Sequence, residues 1–383
     1  MRCGAVVVGL VCAGLVASCT NGSEPPPEVA GLPAQRPNSV EEFERTAGSP
    51  PVWLGSELTV QSYEDGQGRL DGPFFAFGVE AFAVGKAIKG PVAASGIGER
   101  RAEPGQELVV VAADSRVRAG QWVPDEDDPK PKAELVVGGA PTALHRIPLT
   151  PPKSGVDVKL DSAVVVASVP AGAPVSIRVT DAGRTQTMDL RTGRRGPDAI
   201  AGYYRRNSAE LTWTGHLSGG ISTPLGGGRT PVEFAAGFKT MDPAHLTDKP
   251  TATLAPYTPR RGWAPPGGAW LVVPRPVVSR PFDPFSPLFD LALSDPAVFS
   301  LRLPDGTAIP AEPGSTTMST EVLGPWPLKS GGLMTFAVPA EFQRGTVRAS
   351  IGAAEVTATR LKKKAAGSWS PAPAPFDIPV DLG

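Results

Sequence analysis

The side chains able to move protons, attack carbonyls or hold metals are few in this chain and far apart. Its three histidines, His145, His216 and His245, share no metal-ligand spacing. The nearest approach to a nucleophile beside a base is His216-Leu217-Ser218-Gly219-Gly220. Positions two apart lie on one face of a strand, so His216 and Ser218 can be neighbours. No acid is placed to orient the imidazole, and the chain has no Gly-x-Ser-x-Gly elbow or Ser-x-x-Lys set with its partner motifs. A glycine-rich loop is the simpler account. Asp125-Glu126-Asp127-Asp128 offers oxygen ligands to a hard cation, but without the twelve-residue calcium-loop pattern, and Pro124 and Pro129 bracket it as an exposed loop. Gly226-Gly227-Gly228-Arg229 is not followed by the helix that a phosphate cradle needs and reads as a hairpin tip or inter-domain loop. These residues predict no enzyme, no cofactor and no metal.

Recognition is the remaining chemistry. Phe74, Phe75, Phe77 and Phe82 form one aromatic run, and Trp263, Trp270, Phe282, Phe285 and Phe289 a second. Large rings fill the space between packed sheets, so part of each run belongs to a core. The stretch Arg280-Pro281-Phe282-Asp283-Pro284-Phe285 is too rich in proline for a strand interior. Trp263, Phe282 and Phe285 are therefore the candidate patch for an envelope glycan or protein partner. Two basic pieces, Arg191-Thr192-Gly193-Arg194-Arg195 and Arg360-Leu361-Lys362-Lys363-Lys364, read as solvated strand ends or as contacts to anionic envelope polymer.

The N-terminus carries an address. Arg2 precedes an unbroken apolar or small-residue run from Cys3 to Ala17, too short to span a bilayer and right for a signal-peptide core. The run ends Leu15-Val16-Ala17-Ser18-Cys19, which resembles the lipobox of bacterial lipoproteins. The resemblance implies that residues 1–18 are removed and that Cys19 is diacylated through its sulfur. That would hold the protein on the outer face of the cell membrane through a diacylglyceryl anchor. Cys3, Cys12 and Cys19 are the only cysteines. The exported body then has no disulfide and must fold on its own core.

The elements that carry these residues follow from composition. Gly and Pro number 44 each, nearly a quarter of 383 residues, which disfavours a helical bundle. Lys+Arg (37) balance Asp+Glu (38), and this argues against nucleic acid as a partner. Residues 19–51, with proline clusters and few large apolar side chains, read as a lipid-anchored disordered tether. A short helix is expected at 39–45, capped by Ser39 with Glu42 three residues on. Short β-branched runs then predict strands at 58–62, 75–84, 107–113, 133–137, 156–160, 163–169, 175–180 and 185–190. A second set falls at 210–214, 232–238, 269–273, 288–293, 298–303, 333–338, 346–351 and 355–361.

The two sets echo each other in order. Ser56-Glu57-Leu58-Thr59-Val60 parallels Ala209-Glu210-Leu211-Thr212-Trp213. Pro104-Gly105 before Leu108 parallels Pro266-Gly267 before Trp270, and Val169-Pro170-Ala171 parallels Val338-Pro339-Ala340. The expectation is an all-β protein of two tandem antiparallel β-sandwich domains, 52–206 and 207–364, with a Pro-rich tail at 365–383 that ends in an edge strand or frays. The body resembles the tandem immunoglobulin-like or telokin-like modules of secreted bacterial proteins, without the Cys–Trp–Cys spacing of true immunoglobulin domains. The function expected is a non-catalytic, lipid-anchored extracytoplasmic binding or structural role at the cell envelope. The alternatives are a carbohydrate- or peptidoglycan-active enzyme on a β-scaffold, or a solute-capturing module with a pocket at the inter-domain junction.

Overall fold

The computed structural model describes residues 27–45, 57–64, 66–89, 97–114, 121–122, 128, 130–147, 149, 162–205, 207–212, 214–223, 226–237, 251–274, 277–279, 290–293, 298–312, 333–350, 354–358, 363–372 and 374–383. The protein is all-β, built of antiparallel sheets that do not close into a barrel, as expected of β-sandwiches. Among the described residues no helix is long and apolar enough to cross a membrane.

In the first half, β1 (Val40–Arg45), β10 (Ser162–Pro170), β7 (Gln106–Asp114), β4 (Ala76–Gly85) and β2 (Leu58–Gln61) lie side by side in that order, with β3 (Arg69–Asp71) also on β4. Against them packs a sheet ordered β12 (Arg184–Asp189), β11 (Val175–Asp181), β8 (Lys132–Val137), β9 (Ala140–Leu144). β11 alternates buried and half-buried residues along its length, as a strand with one dry face should. β7 and β10 do not alternate. Val109, Val111, Val165 and Ala167 enter the core between the sheets, while Leu108, Val110, Val164 and Val166 enter a second cluster on the opposite face. That outer cluster is closed by Ile88, Ile97 and Ala102 around the two-stranded ribbon of β5 (Ala87–Ile88) and β6 (Arg100–Arg101). Continuous apolar runs mark strands covered on both sides.

The short helix expected at 39–45 is a strand. β1 pairs with β10 along its whole length, from Val40 opposite Ala167 to Arg45 opposite Ser162. The local capping signal lost to tertiary pairing, which satisfies the outer backbone edge of β10. Phe43 packs on the outer cluster beneath the Arg100 guanidinium, 5.4 Å from the ring centre. The Glu42 carboxylate accepts the backbone N–H groups of His145 (2.9 Å) and Arg146 (2.7 Å). Upstream, Val29 on the turn Pro27–Ala30 is buried, and Gln35 donates to the Val166 carbonyl. Residues read as tether thus belong to the first sandwich.

The second half repeats the plan. One sheet runs β13 (Ser208–Glu210), β16 (Thr251–Ala255), β19 (Gly268–Pro274), β24 (Leu333–Pro339); the other runs β23 (Ala308–Pro310), β22 (Val298–Arg302), β25 (Arg344–Ser350), β28 (Phe376–Asp381). Taken along the chain, these orders match β2-β4-β7-β10 and β9-β8-β11-β12 of the first half strand for strand. The ribbon β17 (Tyr257–Thr258) with β18 (Gly262–Trp263) also takes the place of β5 with β6. Leu271, Phe299, Leu301, Phe336, Val347 and Ile378 fill the second core.

The expected tail strand is β28, at the sheet edge on β25. Phe376, Ile378 and Val380 are buried, while Pro379 faces outward where no ladder donor is missed. The boundary expected at 364/365 falls inside another strand, β27 (Lys363–Trp369). The strand expected at 210–214 divides: β13 ends at Glu210, and Thr214 opens a long hairpin of β14 (Thr214–Thr223) and β15 (Gly226–Gly237). The Gly219-Gly220 pair and the 226–228 glycines therefore lie in strands. This hairpin joins β20 (Val277–Ser279), β21 (Asp290–Leu293), β26 (Ala354–Ala358) and β27 in a six-stranded sheet ordered β20-β15-β14-β27-β26-β21. It is assembled from the excursions that separate the second half from the first. The strand expected at 156–160 lies outside the described residues.

Phe82 and Phe336 are both fully buried, one in each core. Phe82→Ala and Phe336→Ala are each expected to cost about 3–5 kcal/mol, read as a lowered urea midpoint. An unchanged midpoint would refute the core assignment.

Candidate functional site

Of the residues singled out for chemistry, Cys19, Asp125, Glu126, Asp127, His245, Phe282 and Phe285 lie outside the described residues. His145 and His216 are exposed, with His216 and Ser218 on the same face of β14. Phe74, Phe75, Phe77 and Phe82 are all core. The first basic piece is engaged within the fold. Arg191 pairs with Glu107 and donates to the Ala173 carbonyl, and Arg195 stacks 4.0 Å above the Tyr204 ring. Among the described residues no three His, Cys, Asp or Glu side chains gather as a metal would need.

Trp263 leads to the site that geometry does build. It is half-buried on β18, and its indole N–H donates to the Ala182 carbonyl of the first sandwich at 2.8 Å. The Arg184 guanidinium covers its face at 4.0 Å. Ala182 and Arg184 belong to the tight turn between β11 and β12. That turn needs left-handed backbone at Ala182 (φ 44°) and Gly183 (φ 76°), which aims the Ala182 carbonyl outward. Tyr257 stands edge-on between Trp263 (5.1 Å) and Phe74 (5.6 Å). The Trp122 indole donates to the Tyr257 carbonyl at 3.2 Å. A ring from each side, a stacked cation and two indole hydrogen bonds thus join the sandwiches. Trp263 is engaged in this joint, and Phe282 and Phe285 of the expected patch lie outside the described residues.

A buried polar network lies beneath the rings. Arg69 holds the Asp71 carboxylate through two hydrogen bonds of 2.6 and 2.7 Å. The Gln186 side-chain amide donates to the Asp71 carbonyl, and its oxygen accepts from the Ile200 N–H and the Tyr204 hydroxyl. Tyr204 in turn accepts the Asp71 N–H at 3.0 Å. Burial pushes the phenols of Tyr203 and Tyr204 above their ordinary range. Asp181, at the start of the β11–β12 turn, is 4% exposed. Its Oδ2 accepts the Phe74 N–H at 2.8 Å, while its Oδ1 and the Tyr203 hydroxyl are buried with no hydrogen-bond partner among the described residues. Burial pushes the Asp181 carboxyl up to about 6, against the opposing pull of the Phe74 and Ala182 N–H groups.

Beside the clasp opens a groove of about 460 Å³, walled by Arg184, Arg205, Leu254, Pro256, Pro265 and Phe342. Its size is that of a small-molecule or short-chain site. Arg205 and Glu341 bridge across it at 2.8 Å, an exposed pair that contributes little to stability. Sequence reasoning reached Trp263 but not Tyr257, Asp181, Tyr203 or Gln186. The one signal for them was rarity: three of the chain's four tyrosines meet here.

Trp263→Ala removes the joint's central ring and is expected to uncouple the sandwiches, so that calorimetry resolves two transitions where wild type gives one. A single transition in the variant would show that the clasp does not couple them. Compared with protein-family models, with curated proteins and with solved structures, the chain matches none.

Proposed function

We propose that this is a non-catalytic binding or structural protein of the cell envelope, held on the outer face of the membrane by a diacylglyceryl group on Cys19. The lipobox-like Leu15-Val16-Ala17-Ser18-Cys19 supports the address. The observation that carries the non-catalytic reading is how the junction uses its reactive groups. Asp71 is neutralised by Arg69, Tyr204 is bonded on both sides, and Trp263 bridges the sandwiches. The groove alongside is walled mainly by glycine, alanine, proline and leucine, with Arg184, Arg205 and Glu341 as its charged groups. Such walls suit holding a ligand and supply no nucleophile–base pair. Solute capture is the second reading, and the groove's volume and its place between the units favour it over a glycan-cleaving enzyme.

Cys19→Ala is expected to move the protein from the membrane fraction to the soluble extracytoplasmic fraction and to remove the acyl mass from the mature N-terminus. A variant that stays membrane-bound, or a wild-type product without the acyl mass, would overturn the anchor.

A further inference from the structure

We propose that the clasp between the sandwiches is a proton-controlled latch, with Asp181 as its switch, closed in acid and loosened as pH rises. The geometry comes first. Apart from the Trp122 indole, which donates to the Tyr257 carbonyl, the first-sandwich groups that grip the Tyr257–Trp263 pair are fixed by the turn Asp181 begins. Ala182 takes the Trp263 N–H, Arg184 covers the ring, and Asp181 itself holds the backbone of Phe74, whose ring meets Tyr257. An almost fully buried carboxyl with one oxygen unpartnered is an unstable base for such a clasp when charged and a tolerable one when neutral.

The neighbours agree on the sign. Asp181 faces Tyr203 from the turn that leads to the second sandwich, Tyr257 from β17, and Asp128 from the segment before β8. Asp71 on β3 shares its influence on Tyr203 and is held by Arg69. The one cation nearby on the same turn, Arg184, is stacked on Trp263. Asp128 adds negative charge, and the two phenols are uncharged. Among the described residues, the two N–H groups of Phe74 and Ala182 are what offsets the Asp181 anion. Opening the clasp lets water reach the carboxylate. Its proton affinity then returns from about 6 towards the ordinary 3.8. A carboxyl whose pKa is higher in the closed state favours closure fully below the open-state value, and that preference is lost as pH rises through about 6. Two pH units correspond to a change on the order of 100-fold in the closed-to-open ratio, reached only if opening hydrates the group completely. The latch does not depend on what the protein binds, although Arg184 is also a wall of the groove, so closure would narrow it.

The test is a distance measurement on the full chain. Nitroxide labels go on exposed Thr142 of β9 and exposed Ala308 of β23, with the three native cysteines replaced by serine. Pulsed electron resonance then reads the inter-sandwich distance at pH 8 and pH 5. The expected result is a shorter, narrower distribution at pH 5, which Asp181→Asn shows at both pH values because the amide stays neutral. Tyr203→Phe should keep the wild-type pH response, since it deletes only the unpartnered hydroxyl. Trp263→Ala should give the long distance at both. A wild-type distribution that does not move with pH, or an Asp181→Asn chain that moves as wild type does, overturns the latch.

Discussion

Burial of both faces of β7 and β10 is the constraint on which the first half of the molecule depends. A sheet dry on one side can leave its other side to water. Here Leu108, Val110, Val164 and Val166 point away from the inter-sheet core and still have to be covered. The cover comes from the ribbon of β5 and β6 and from the N-terminal segment, which brings Phe43 and Gln35 onto the same surface. Once that segment is recruited, β1 closes the edge of β10, and Glu42 reaches the loop after β9. What looks like a leash from its prolines is partly a lid, and the apolar demand of two strands is the reason.

The second half solves the same topology with different additions. Both halves place eight strands in one order and insert a two-stranded ribbon between the second and third. In the first half the ribbon guards the outer cluster. In the second half it carries Tyr257 and Trp263 across to the first sandwich. A single supersecondary device therefore serves as a cover in one copy and as a coupling in the other. The change of use follows from residue type: two aliphatic residues and two arginines in the first ribbon, two large rings with polar handles in the second.

The fold was legible because strand periodicity is a local property. The alternation of β11 and of β28, and the apolar runs of β7 and β10, were readable from single stretches. The errors arose where distant partners decide. The 39–45 segment carries a capping pattern and still became a strand, since β10 offered it a ladder. The 219–220 and 226–228 glycines read as loop, yet sit in paired strands of a sheet assembled from three separated excursions. The junction was the least legible part. Trp263 was noticed for its ring, but its role depends on a carbonyl at Ala182 and a cation at Arg184, some eighty residues earlier. Asp181 carried no signal of its own, because its surroundings are set by Phe74 and Tyr257, both far from it in sequence.

The place of β28 bears on the order in which the chain can fold. The first sandwich has all its strands once about 190 residues have emerged, since β12 ends at Asp189. The equivalent position in the second sandwich is filled not by the strand that follows β25 but by Phe376–Asp381, after the detour through β26 and β27. Phe376, Ile378 and Val380 belong to the second core, so that core stays open until these final residues are delivered. In a chain delivered from its N-terminus the first half has its full set of strands while its twin is still an unfinished sheet with an apolar seam, the interval in which a chaperone would have most to hold.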